Sequence, residues 1–407
     1  MNNSERLYML KTTIFIILYL GSIKSVYDDY LLIIKNKGII FPSDYYKDNE
    51  EKKYSLKKAR KFFLNCVEDK LINQKNFIKN DDPLVSVVIP VYNAEFKIKK
   101  AIRSIQNQNT SNLEIILVND LSTDNTIDVL KKLQKEDERI IVLENKINMG
   151  IFYSRCIGTL KASGKYIFPL DNDDLFFDEG TIDIIVNESI KGKFDIVEFN
   201  YAEFFNPKIP PNKFITSEFG NHTHNLILYQ PQLGQFPRNK NNVFGVYDCY
   251  VWAKCIESEL YKKSINKIGI HIYSKYILRG EDYIITFVLF RLAKSFYYFG
   301  KYGIFRYKNF ETATFKSSRE LYLLSRIIYI DIILRFTEKN YEDKKYVVYV
   351  CNIFLKILGI EFNKLRNKNK KYAKKVFQKL LKNKYILMDD KKRFISFFKK
   401  HSWMLQK

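Results

Sequence analysis

From residue 84 to about residue 200 the chain alternates short β-branched and aromatic runs with stretches of helical period, and this alternation constrains the fold more than any other feature. Strand-like runs occupy Leu84–Ile89, Leu113–Val118, Ile140–Leu143, Tyr166–Leu170 and Phe194–Phe199. Between the first two, Ile98, Ala101, Ile102 and Ile105 recur at helical spacing. Ile127, Leu130 and Leu133 do the same in a helix over Asp124–Leu133, with Ser122 or Thr123 as its expected cap. Met149–Lys161 and Ile182–Ile190 complete the series. Strands separated by helices imply an α/β domain, its sheet mostly parallel and flanked by helices. In such sheets ligands bind in the crevice beyond the carboxyl ends of the strands.

Those ends carry the polar residues. Tyr166–Leu170 runs into Asp171-Asn172-Asp173-Asp174, and three carboxylates in four residues repel one another unless positive charge sits among them. Hard oxygen ligands of this kind suit Mg²⁺ or Mn²⁺. The competing structural reading is a capping cluster, to which Asp174 is best suited. The second strand ends at Asn119-Asp120, where Asp120 can accept hydrogen bonds from a ribose or a uracil and Asp124 can cap. The first ends at Pro90-Val91-Tyr92-Asn93, where the Tyr92 ring can stack on a flat base and Asn93 can cap the next helix. Gly150 permits close backbone approach to a ligand, and Arg155 supplies a planar fork for phosphate or base oxygens. Further on, Glu281-Asp282 opens a helix expected over Tyr283–Phe296.

In this order the motifs resemble family 2 glycosyltransferases of the GT-A fold, a Rossmann-like arrangement: a PxYN-like turn, an (N/D)DxSxD turn, an NxGxxxxR helix start and a DxDD cluster. The resemblance covers residues 84 to 205 strongly and extends more weakly to about 310, through Val251–Lys254 and Gly280-Glu281-Asp282. It implies transfer of a sugar from a nucleotide-diphosphate donor, UDP-linked, to an acceptor hydroxyl with inversion. It makes Tyr92 and Asp120 contacts of the base and places Arg155 by the nucleotide. Asp173 becomes the principal ligand of Mn²⁺ or Mg²⁺, with Asp171 orienting it or binding ribose. Asp282 takes the position of the catalytic base, with Glu281 beside it near a carbohydrate, lipid or protein acceptor. Position 119 departs from the pattern, being Asn where the family usually has Asp. The alternative is a GT-A-like sugar- or partner-binding protein that kept the fold without the chemistry.

Composition bounds the rest. A hydrophobic fraction of 46% over 407 residues excludes a disordered protein. The net charge of +23 is concentrated at the end, where residues 361–407 hold 16 Lys or Arg against three Asp or Glu, a surface suited to anionic partners such as a membrane. No basic-aromatic RNA motif or zinc finger is present, which argues against nucleic acid. The five cysteines form no CxxC pair, and Cys249 and Cys255, six residues apart at the start of an expected helix, read as reduced thiols. The apolar run Thr12–Ile23 suits a signal-peptide core or weak anchor, implying membrane or secretory targeting, with a cytoplasmic enzyme as the alternative. The segments are thus 1–25, signal or anchor; 26–82, helical stem; 83–205, nucleotide-sugar domain; 206–310, acceptor side; 311–407, basic helical extension. Trp252 and Lys254 are expected to pack on and solvate the 250–268 helix, Trp252 with the option of flooring an acceptor sugar. His222, His224 and His271 read as surface or packed residues.

Overall fold

The structure, a computed structural model, describes residues 50–72, 77–204, 215–216, 226–229, 250–270, 277, 280–307, 319–337 and 367–382. The Thr12–Ile23 run, the three histidines named above and Cys249 lie outside these residues. By compactness the chain divides into two units, one of Met1–Lys57 with Arg238–Phe244 and one of Lys58–Pro237 with Gly245–Lys407. The sheet and its helices belong to the second.

In chain order the elements are α1 (Glu50–Val67), β1 (Val85–Val91), α2 (Ile98–Gln106), β2 (Leu113–Asn119), α3 (Thr126–Glu136), β3 (Ile140–Glu144), α4 (Ile151–Lys161), β4 (Tyr166–Pro169), β5 (Leu175–Phe176), α5 (Thr181–Gly192), β6 (Ile196–Phe204), β7 (Ile215–Thr216), β8 (Leu226–Tyr229), β9 (Lys254–Glu257), α6 (Ser258–Ile268), α7 (Glu281–Leu292), β10 (Ser295–Tyr307), α8 (Arg319–Thr337) and α9 (Asn367–Lys382). The strands form one sheet in the order β3-β2-β1-β4-β9-β6-β10-β5, with β7 beside β6 and β8 beside β10. β3, β2, β1 and β4 run parallel, as expected from their helical crossovers. β6 and β10 are parallel to each other, while β9 lies antiparallel between β4 and β6.

Alternate side chains of the central strands feed two cores. Val87 and Ile89 of β1, with Ile115 and Leu117 of β2, pack beneath α2, α3 and α5. Val88, Ile116 and Val118 face the other way, onto Phe152 and Cys156 of α4 and the apolar sides of α6, α7 and α8. Gly158 allows that second packing. A Cβ there would stand 2.5 Å from Val88 Cγ1 and 3.0 Å from Val118 Cγ2, so α4 lies closer to the sheet than any larger residue permits.

Three expectations are corrected. Tyr250–Ile268 is not one helix, because Lys254–Glu257 pairs with both β4 and β6, and α6 starts only after Glu257, whose side chain accepts from Leu260 N at 2.7 Å. Helix α7 stops at Leu292, and Ser295–Tyr307 becomes the long strand β10 on β6. In both places pairing with a distant strand outweighs local period. At α3 neither Ser122 nor Thr123 caps; Asp124 Oδ1 accepts from Thr126 N at 3.1 Å and from the Thr126 hydroxyl.

Towards the carboxyl end α8 is buried through Leu323, Leu324, Ile327, Ile328 and Ile330. Ala373 and Val376 of α9 are buried in the same core as α8, while Lys371 and Lys375 of α9 are exposed. Among the described residues no helix is long and apolar enough to cross a membrane.

Candidate active site

The exits of β1, β2 and β4 lie side by side and are laced together by short polar side chains. Asn93 donates from its backbone to Ser122 Oγ at 3.0 Å and accepts from Thr123 N at 2.8 Å, so it ties two turns together and caps no helix. Asn172 Nδ2 donates to Pro90 O at 3.2 Å. Both Asn93 and Leu121 hold left-handed backbone, at φ 46° and 55°, a conformation that non-glycine residues adopt at some cost and that clusters at functional edges. Asn119, where a second carboxylate was expected, turns its Oδ1 inward to the Ser122 hydroxyl (2.6 Å) and backbone N–H (3.2 Å).

Asp120 is almost wholly buried. Its Oδ1 accepts from Asn145 Nδ2 (2.7 Å) and Met149 N (2.8 Å), and its Oδ2 from Gly150 N at 2.7 Å. The carboxylate thus fixes the loop that leads into α4. Tyr92, by contrast, is 45% exposed at the mouth of the β1 exit, its ring open to a flat partner.

The three acids after β4 are kept apart by three different partners. Asp171 Oδ1 accepts from Arg155 Nη2 at 2.9 Å. Asp173 Oδ2 lies 3.5 Å from Lys97 Nζ, at the start of α2. Asp174 is buried and accepts from Tyr307 N at 3.0 Å, so it caps no helix. Burial raises the pKa of Asp173, and the Asp171 charge adds to this while Lys97 opposes it. Burial, then the charges of Asp173 and Asp171, holds Asp174 well above the carboxylate range. Among the described residues no three His, Cys, Asp or Glu side chains are grouped to hold a metal ion. Among the described residues, what this rim can offer a cation is the pair of hard oxygens on Asp171 and Asp173.

Across from these acids, Gly280 at φ 77° turns the chain into α7, whose first residues are Glu281 and Asp282. Arg155 reaches this pair as well, with Nη2 3.6 Å from Glu281 Oε1. Burial and then the Glu281 charge push the Asp282 carboxyl well above the usual range, with Arg155 and Lys254 opposing. Its Oδ1 is buried with no hydrogen-bond partner among the described residues. Burial also raises Glu281, against the pull of Arg155.

Sequence reading had no signal for Lys97, because one lysine at the foot of a helix carries no periodic or motif signature. It had Trp252 packed, as found, although not on a helix, and it misplaced Lys254 as a solvated residue. Trp252 is buried, stacked on Tyr250 (centroids 4.9 Å) and edge-on to Tyr201 (4.7 Å), which leaves no face for a sugar. Lys254 lies in β9, fully buried, 3.1 Å from Glu198.

Gly150 carries one expected result. At φ 85° and ψ 165° it holds a conformation almost restricted to glycine while donating to Asp120. Gly150→Ala should lower stability by about 1–3 kcal/mol in urea denaturation. An unchanged midpoint would show that this backbone is not strained.

Known proteins resemble this chain in sequence and in fold. Residues 86–249 match glycosyl transferase family 2. An uncharacterized glycosyltransferase of Haemophilus influenzae is 48% identical over 93 residues, covering 23% of this chain and 29% of that protein. Glycosyltransferase GlyA of Streptococcus pneumoniae is 27% identical over 225 residues, covering 53% of this chain and 30% of that protein. The chain thus spans under a third of the length of either relative. The crystal structure of S. aureus TarS 1-349 in complex with UDP-GlcNAc superposes with a TM-score of 0.51 at 15% identity, over 78% of this chain and 92% of that one. Residues 86–249 are thus similar in sequence to family 2 glycosyltransferases, and the mixed α/β fold is GT-A-like.

Proposed function

We propose that the protein transfers a sugar from a nucleotide-diphosphate donor, UDP-linked, to an acceptor hydroxyl with inversion at the anomeric carbon. One observation carries this: the sheet presents Tyr92, Asp171 and Asp173 along one rim, and Arg155 joins that rim to Glu281 and Asp282. The UDP-GlcNAc held by the TarS fold supports the choice of donor class.

In this reading Tyr92 stacks on the base, and Asp120 holds the rim in shape through the Asn145–Gly150 loop. Asp173 and Asp171 would hold Mn²⁺ or Mg²⁺, which when bound neutralises the diphosphate as it leaves. Asp282 takes the proton of the acceptor hydroxyl as its oxygen attacks the anomeric carbon. A single base with no protein nucleophile gives one displacement, hence inversion. The acceptor is a carbohydrate, lipid or protein hydroxyl, and the exposed lysines of α9 favour placement at an anionic membrane face.

The test is a donor panel with purified protein and Mn²⁺, scored by released UDP or GDP. UDP release that stops on chelation and returns with Mn²⁺, and that Asp173→Asn reduces by roughly 10²-fold or more, is expected. Binding of a sugar nucleotide without turnover would instead establish a binding protein that kept the fold.

A further inference from the structure

Resting on that reading, we propose that Arg155 is a positioning residue: it clamps the donor-side carboxylate Asp171 to Glu281 of the acceptor-side Glu281–Asp282 pair, so that its guanidinium governs turnover and not nucleotide affinity. The guanidinium is 1% exposed. It sits in the second turn of α4, pressed to the sheet by the close approach at Gly158, and a single nitrogen, Nη2, serves both Asp171 (2.9 Å) and Glu281 (3.6 Å). Asp171 follows β4, and Glu281 begins α7 far along the chain. Among the described residues the Arg155 guanidinium is the point at which ion pairs from both segments meet.

Burial alone would lower its pKa, but the charges of Asp171, Asp282 and Glu281 more than reverse this, so the cation is held firmly charged. Its Nε and Nη1 are buried without hydrogen-bond partners among the described residues, as is Asp282 Oδ1. The group therefore acts by charge and by holding carboxylates in register, and it has no surface on which a diphosphate could rest. A lysine keeps the charge, but its ammonium sits on a flexible stem and is not held between the two carboxylates as Nη2 of the planar guanidinium is. Displacing an acceptor-side base by about 1 Å is enough to lower turnover by roughly 10²-fold.

Arg155→Lys, Glu281→Gln and the double variant, each in the full chain, separate the alternatives. UDP affinity is read by titration calorimetry with Mn²⁺, turnover by UDP release, and folding by thermal denaturation. Expected are UDP affinities within about twofold of wild type, turnover down roughly 10- to 10²-fold in each single variant, and a double variant no worse than the weaker single, as coupled residues behave. Glu281→Gln keeps the size of the side chain and secures the measurement if Arg155→Lys folds poorly. A parallel loss of UDP affinity, unchanged turnover in folded Arg155→Lys, or effects that multiply in the double would overturn the clamp. If wild type turns over no donor at all, the transferase reading falls and takes the clamp with it; failure of the variants alone removes only the clamp.

Discussion

Asp282→Asn should give a folded protein that still binds UDP and has lost roughly 10²–10⁴-fold in turnover, the usual contribution of a positioned general base. The sign of the pH effects follows from the raised pKa. Turnover needs the ionised carboxylate, so in the wild type it should fall as pH drops through a value well above the 3.8 of an ordinary aspartate. In the Asn variant that acid limb should disappear from the residual rate. Stability should move the other way. A carboxyl whose pKa is raised on folding favours the folded state below 3.8 and loses that contribution as pH rises through the raised value. Asn resembles the neutral form, so the variant should match wild type in acid and be at least as stable at neutral pH. Urea denaturation at both pH values alongside the rate profile checks the whole set. A variant with full turnover, or one inactive only because it unfolds, removes Asp282 from the base position.

The sequence made the parallel half of the sheet legible because each strand from β1 to β4 is local in period and bounded by polar turns. The strand-end residues came with it: Tyr92, Asp120 and Asp171 to Asp174 are located by where a hydrophobic run stops. What the pattern could not show was partnership. Whether Asp171, Asp173 and Asp174 share one cation or have three separate partners depends on Arg155, Lys97 and Tyr307, which reach them from distant segments. β9 and β10 were hidden for a related reason. Lys254–Glu257 and Ser295–Tyr307 acquire strand character from pairing with β6, and neither run alternates cleanly in its own sequence. The Asn119 substitution is likewise explained only in three dimensions, where its side-chain oxygen closes the β2 turn by accepting from Ser122.

Lys254→Met should damage the fold severely, lowering stability by about 3–5 kcal/mol. Lys254 and Glu198 face each other directly in the β9–β6 register, the lysine side chain fully buried and the glutamate nearly so, with Nζ 3.1 Å from Glu198 and 2.5 Å from Tyr250 O. Met fills much the same volume, so the loss comes from leaving a carboxylate in the interior without its cation, and little of it from a cavity. The double variant Lys254→Met with Glu198→Gln removes the stranded charge and should recover more than half of the loss, while Glu198→Gln alone strands the cation instead. Because β9 bridges the parallel half of the sheet to β6 and β10, the damage should be global: one cooperative urea transition with a lower midpoint and an unchanged slope. Lys254 also opposes the rise in the Asp282 pKa, so the acid limb of the rate profile should move to higher pH in the folded fraction. A single variant as stable as wild type, or a double variant no better than the single, would show that the pair is hydrated and that β9 is held by its backbone and apolar neighbours alone.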